Sequence, residues 1–126
     1  MNFNLNLPKV CRLALGLVFL VFGVNGFLNL FPMPVPGGEA GVFLAALGST
    51  GYFFPLLKVV EIAAGAMLLS NRAVPLALLL LAPVVVNIFA FHVFMDHSGL
   101  AFASVLLAAE LYMLRENRNT LMPLLA

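Results

Sequence analysis

The sequence has very little charge. Six Lys or Arg and five Asp or Glu are present in 126 residues, so charged residues make up only 9% of the chain. The formal net charge is +1, and the sequence has no basic tract that would indicate a nucleic-acid partner. A soluble domain of this size exposes much of its chain to water and needs more polar surface than this composition provides. The scarcity of charge therefore argues against a soluble domain.

Cysteine is almost absent, with Cys11 as its single representative. One thiol can form neither an internal disulfide nor a CxxC redox pair, so any dithiol chemistry would belong to a partner. Asp96 and His97 have no further ligand-type residues at a suitable spacing, and no metal site is predicted. The sequence also lacks a nucleotide-binding loop and a serine nucleophile elbow, which leaves open whether the protein is an enzyme.

Hydrophobic residues make up 63% of the chain, and its mean hydropathy is +1.12. Four apolar segments, about 10–30, 52–69, 74–95 and 100–114, approach the ~20 residues that a helix needs to cross the membrane. The first resembles a signal peptide, but Val24 to Phe27 lack a small-residue cleavage pattern, so an uncleaved span is expected. The sequence predicts an all-α integral membrane protein, a single domain over residues 1–126 built as a four-transmembrane-helix bundle.

The connection between the first two spans is the longest in the chain. Its first part, residues 31–38, holds three prolines, which exclude a regular helix. Residues 37–48 then have a helical pattern, but this segment is too short to span a bilayer. We expect a short extra helix that forms a cap in the outer first loop.

The basic residues outside the spans all belong to one side of the predicted topology. Two precede the first span, one lies between the second and third, and two follow the fourth: Lys9, Arg12, Arg72, Arg115 and Arg118. The connections on the opposite side contain no Lys or Arg. The positive-inside rule therefore places both termini in the cytoplasm.

Lys58 and Glu61 interrupt the second span with two opposite charges. A charge at bilayer depth costs roughly 2.5–3.5 kcal/mol on insertion scales, so its presence needs a physical reason. Residues three apart lie on one face of a helix, where the two charges can neutralise each other. The pair is predicted either to hold helices together or to form part of a polar site.

Polar residues of three spans collect at one depth when they are placed by a rise of 1.5 Å per residue. This layer is predicted to form a polar pocket beneath the cap helix, and its candidate ligand-binding residues are Asn25, Asn29, Lys58, Glu61, Asn87 and His92. The same residues could instead serve only as interhelical hydrogen-bonding groups. Asn87 and His92 are five apart and do not face one point on an ideal helix.

A second, smaller polar layer is predicted nearer the cytoplasmic surface. Glu110 is the acid in this layer, and an arginine is expected to hold it at about headgroup depth. We therefore predict Arg12 and Glu110 as a structural ion pair beside the pair of Lys58 and Glu61. Both pairs would fix how helices meet.

Several strings of the sequence resemble the DoxX-like membrane proteins. Arg12 to Gly23 is similar to the opening span of that family, and Leu57 to Gly65, followed by Asn71-Arg72, is similar to its second span and turn. Ala82-Pro83 through Asn87 to His92 is similar to its third span. The resemblance implies a small four-span protein of the bacterial inner membrane. Some relatives are associated with thiosulfate:quinone oxidoreductase, and others with a complex that handles oxidative and thiol stress.

Three functions are consistent with these observations. The first is a redox-associated membrane subunit whose pocket binds a quinone-like cofactor or another small amphipathic molecule, with partner oxidoreductase subunits or a second copy of the chain beside it. The second is a non-catalytic scaffold, and the third is a small proton-coupled carrier. Membrane lipid is a partner in all three.

Overall fold

The computed structural model describes residues 6–126, and all regular structure in this range is helical. The first five residues of the predicted domain lie outside the described range. The helices are α1 (Leu7–Leu28), α2 (Gly38–Ser49), α3 (Phe53–Ser70), α4 (Val74–Phe94), α5 (Leu100–Glu116) and α6 (Arg118–Leu121). Helices α1, α3 and α4 and the run His97–Glu116 are long and apolar enough to cross a membrane. The all-α class and the four long apolar helices are confirmed.

Local sequence explains where these helices begin and end. Helix α1 starts three residues before the predicted position because Pro8 lies in its first turn, where no amide donor is needed. It stops at Leu28 because Asn29 takes the left-handed conformation, with φ of 50°. A 3-10 turn over His97–Gly99 leads directly into α5, so the fourth apolar run has 20 residues and is longer than predicted.

Helices α1, α3, α4 and α5 form a closed ring in which α1 packs on α3, α3 on α4, α4 on α5 and α5 on α1. We call the end of this ring that holds α2 and the connection between α4 and α5 the capped end. The opposite end holds the first residues of α1 and the last of α5, and we call it the terminal end. Any residue can then be placed by its distance along its helix from one of these ends.

The closest helix pair is α1 and α3, and glycines permit the approach. A Cβ added to Gly65 of α3 would lie 2.6 Å from the backbone nitrogen of Leu20 and 2.8 Å from the carbonyl oxygen of Gly16. Small residues allow such contact between membrane helices, where dispersion and hydrogen bonds drive association. This packing sets the relative position of α1, which carries Asn25, and α3, which carries Lys58.

The interior of the ring is apolar over most of its length. The most deeply buried large side chains of this core are Leu15, Phe19, Leu68, Leu78 and Leu81, each at most 2% exposed. Because they come from three different helices, they tie the ring together through interdigitated packing. They also separate the polar groups at the capped end from those at the terminal end.

Helix α2 lies against the side of the bundle at the capped end. Phe43 of α2 stacks on Phe91 of α4, with ring centroids 6.1 Å apart and planes inclined by 25°. The helix has 12 residues, which is about 18 Å and too short to cross a bilayer. A short extra helix is therefore present in the first connection.

Candidate functional site

Lys58 and Glu61 form an ion pair on α3. The Lys58 ammonium donates a hydrogen bond to Glu61 Oε2 over 3.2 Å. The lysine side chain is 23% exposed, whereas the glutamate side chain is only 5% exposed. The pair therefore has a buried anion on the core face of α3 and a cation that reaches the surface of the bundle.

Gly26 of α1 makes room for the lysine. A Cβ at this position would approach Lys58 Cγ to 2.6 Å and Cδ to 2.8 Å. The aliphatic part of Lys58 thus lies directly on the α1 backbone, as is usual for a lysine that packs its methylene groups on an apolar surface. The close approach of α1 determines where the ammonium group lies.

Asn25, one residue before Gly26, is buried and holds the chain that follows α1. Its side-chain Nδ2 donates to the carbonyl oxygen of Phe31 over 3.1 Å, and its Oδ1 accepts from the Phe31 amide over 2.9 Å. These two bonds use one of its two N–H donors and one of its acceptor lone pairs. Asn25 therefore anchors the connection and retains limited capacity for a ligand.

A cleft of about 590 Å³ opens between these residues at the capped end. Its walls come from the last two turns of α1, from the connection that Asn25 holds, and from one residue of α3. The lining residues are Phe22, Asn25, Gly26, Asn29, Leu30, Phe31, Pro32, Met33 and Lys58. Lys58 is the one charged residue among them.

Apart from Lys58, Asn25 and Asn29, the residues that line the cleft have no polar side chain. Phe22 and Phe31 meet edge to face with ring centroids 5.7 Å apart, which joins the α1 wall to the connection. Leu30 and Met33 are 67% and 53% exposed. A cleft that combines apolar side chains with two asparagines and one lysine suits a molecule that has an apolar body and a hydrogen-bond acceptor or a negative charge.

The structure brings together only part of the predicted polar layer. Asn25, Asn29 and Lys58 line the cleft, and Glu61 contacts it through Lys58. Asn87 lies on an exposed face of α4, where its Nδ2 donates to the Pro83 carbonyl one turn earlier over 2.7 Å. Asn87 lies at the depth along α4 that the prediction required, but its side chain does not face the cleft.

His92 is likewise not among the residues that line the cleft. Its Nδ1 is 2.7 Å from the carbonyl oxygen of Asp96, so this nitrogen carries the proton and donates. The ring packs over Gly99, where a Cβ would lie 2.7 Å from Nδ1. His92 therefore closes the end of α4 and shapes the turn into α5.

The cap also differs from the prediction. The cleft is covered by residues Leu30–Met33, and no residue of α2 lines it. The physical reason is the side-chain pairing of Asn25 with the Phe31 backbone, which folds the connection back onto α1 before α2 begins. The spacing of Phe22, Asn25 and Gly26 on one side of α1 could have indicated this wall.

The predicted pair of Arg12 and Glu110 is not formed. The Arg12 guanidinium donates to the carbonyl oxygen of Leu68, in the last turn of α3. Carbonyls of a last turn lack helical donors and carry the negative end of the helix dipole, so they compete well for an arginine. Neither carboxyl oxygen of Glu110 has a hydrogen-bond partner among residues 6–126.

Comparison of the chain with models of protein families, with curated proteins and with solved structures finds no match. The resemblance to DoxX-like proteins thus stays a prediction from the sequence. Within residues 6–126, no three His, Cys, Asp or Glu side chains lie close enough to share a metal ion. The candidate site is therefore defined by the cleft and by the ion pair at its edge.

Proposed function

We propose that the protein is a multi-pass membrane protein whose capped-end cleft binds a small amphipathic molecule, with Lys58 as the polar anchor. The observation that supports this most is that Lys58, the one charged residue of the cleft lining, is held in place by its ion pair with Glu61 and by its packing on Gly26. Both neighbours set the geometry before any ligand arrives, which lowers the cost of ordering the site on binding.

Size and hydrogen-bonding capacity agree with this proposal. Small-molecule sites in proteins range from roughly 300 to 1,000 Å³, and the cleft of about 590 Å³ lies within that range. A lysine ammonium has three N–H donors, of which Glu61 takes one. Two donors remain for a carbonyl or an anionic group of the ligand.

A quinone-like molecule is the ligand that we favour. It combines an apolar body with carbonyl acceptors, which match the phenylalanine walls and the Lys58 donors. The sequence resemblance to DoxX-like proteins points in the same direction, because some of those proteins are associated with a quinone oxidoreductase. We accordingly propose a redox-associated subunit of the bacterial inner membrane, with oxidoreductase subunits as partners and with both termini in the cytoplasm by the positive-inside rule.

A scaffold without a ligand is the second candidate. It is favoured by the way in which the polar groups satisfy each other: Asn25 is bonded to the backbone of Phe31, and Lys58 is paired with Glu61. Such bonds average about 0.6 kcal/mol in membrane proteins and suffice to hold helices in place. A proton-coupled carrier has less support, because buried apolar side chains such as Phe19 and Leu81 fill the interior.

A photoreactive quinone tests the proposal directly. An azido-quinone is activated by light in membranes that contain the protein, and the labelled peptides are identified by mass spectrometry. We expect label on residues 22–33, and we expect an excess of unmodified quinone to suppress it. Label spread evenly over the lipid-facing surfaces of all four helices, unaffected by competitor, would favour the scaffold.

A further inference from the structure

Glu110 of α5 is a buried acid that the cleft does not use. It is 2% exposed, and both of its carboxyl oxygens lack hydrogen-bond partners within residues 6–126. It lies on the core face of α5 with Ala103, Leu106 and Met113, at helical spacings of three and four. An acid at the centre of such a face points into the bundle and away from the lipid.

No charged group within residues 6–126 pairs with Glu110. The elements packed against α5 are α1, α4, α6 and the 3-10 turn before α5. The ionisable residues of these elements and of α5 itself, in the described part of the chain, are Lys9, Cys11, Arg12, His92, His97, Tyr112, Arg115, Glu116 and Arg118. The structure records no ion pair or hydrogen bond between any of them and Glu110. An ionised carboxylate without a partner is very costly in an apolar interior, so this carboxyl is stable here in its protonated form.

The acid is nearer to the terminal end of the bundle than to the cleft. Glu116 lies six positions after Glu110, which corresponds to about 9 Å along α5. Toward the capped end, buried apolar residues follow on the neighbouring helices, among them Phe19 of α1 and Val85 of α4. The path of a proton between Glu110 and water is therefore shorter toward the terminal end than toward the capped end.

We propose that Glu110 is a proton-binding site inside the bundle. Its carboxyl takes a proton from water at the terminal end and returns the proton there. This site is separate from the capped-end cleft and does not depend on the ligand proposed for it. The acid is 2% exposed among apolar side chains of α5 and its neighbours, and this burial should keep water-soluble reagents away from it.

An apolar carbodiimide is the probe for this site. Dicyclohexylcarbodiimide accepts the proton of a carboxylic acid, and the carboxyl oxygen then adds to its central carbon. Without water or an amine nearby, the resulting O-acylisourea rearranges to a stable N-acylurea. The full-length protein in nanodiscs is treated over a range of pH, and the adduct on the peptide that contains Glu110 is measured relative to that on exposed Glu39.

We expect at least about a tenfold excess of N-acylurea on Glu110 over Glu39, because dry surroundings protect the O-acylisourea from hydrolysis. The yield on Glu110 should fall as the pH is raised from neutral to alkaline. Glu110→Gln should remove the adduct, and Glu61→Gln should keep it. A hydrophilic carbodiimide with an amine nucleophile should leave Glu110 unmodified.

Three results would overturn the proposal. The first is an unmodified Glu110 in protein whose melting temperature shows that it is folded. The second is a yield that does not change with pH, which would make Glu110 a permanently neutral packing residue. The third is equal modification by the hydrophilic reagent, which would place the acid in water.

Discussion

Gly26 of α1 lies directly against the side chain of Lys58 of α3, so closely that a Cβ on residue 26 would come within 2.6 Å of Lys58 Cγ. Through this contact the packing of two helices determines where the Lys58 side chain lies in the wall of the cleft. The same lysine is paired with Glu61 over 3.2 Å. The α1 backbone at Gly26 and the Glu61 carboxylate, one turn after Lys58 on α3, therefore hold the lysine side chain in place.

Gly26→Ala tests this relationship. The added methyl group meets Lys58 Cγ at 2.6 Å and Cδ at 2.8 Å, so the lysine side chain must shift, and we expect a loss of stability of about 1 kcal/mol. Moving the ammonium group should weaken ligand binding about tenfold, or about 1.4 kcal/mol. Gly65→Ala is the matched control. Its methyl group would meet backbone atoms of Leu20 and Gly16, so no movement of a side chain could relieve the overlap. It should cost about 1–3 kcal/mol of stability in thermal melts.

Because Lys58 and Glu61 form an ion pair, we expect the losses of stability from replacing them to be non-additive. Lys58→Leu alone leaves a buried carboxylate without its partner and should cost about 3 kcal/mol. Glu61→Met alone leaves an ammonium group that is 23% exposed, so it should cost less. The double variant Lys58→Leu/Glu61→Met strands neither charge and should melt within a few degrees of the wild type. A double variant as unstable as the sum of both singles would show that the pair is not the relevant interaction.

Asn25→Ala should loosen the wall of the cleft. It removes both bonds to Phe31 and leaves a backbone amide and carbonyl without partners, so we expect a loss of about 2 kcal/mol. Asn87→Ala is the control, because Asn87 is exposed and bonds only to its own helix at Pro83. Its effect on the free energy of unfolding should stay within about 0.5 kcal/mol. Equal effects of the two changes would contradict the role assigned to Asn25.

Asp96, in the connection between α4 and α5, should make the stability of the protein depend on pH. Hydrogen bonds from the Ser98 hydroxyl and amide, followed by the nearby His92 and His97, hold the pKa of Asp96 below its ordinary value. Because the folded pKa is the lower one, the stabilisation is present above the unfolded pKa and is lost as pH falls through the folded pKa. Ser98→Ala should raise the pKa of Asp96, as measured by an NMR titration of its carboxyl carbon, whereas Ser104→Ala should not.

The sequence predicted the helices well because hydropathy, prolines and asparagines act locally. Pro8 in the first turn of α1 and Asn29 just beyond its end are signals that need no knowledge of the rest of the chain. The ion pair of Lys58 and Glu61 was also predictable, because a spacing of three on a helix brings side chains together.

The membership of the cleft was less predictable, because depth along a helix does not give rotation about its axis. Asn87 lies at a suitable depth on α4 but is exposed on another face. The pattern of polar side chains also does not indicate which backbone groups they will bind. Arg12 donates to the Leu68 carbonyl rather than to Glu110, and Asn25 binds the backbone of Phe31. Both partners depend on how the chain packs.

Native mass spectrometry of protein released from its own membranes tests the central claim most directly. Wild type and Lys58→Leu/Glu61→Met are compared under the same mild conditions, after thermal melts have shown that both are folded. The proposed function predicts that the wild type retains a small amphipathic molecule and that the double variant loses most of it. Equal occupancy in the two proteins, or a wild type without any bound molecule, would contradict a ligand site anchored by Lys58.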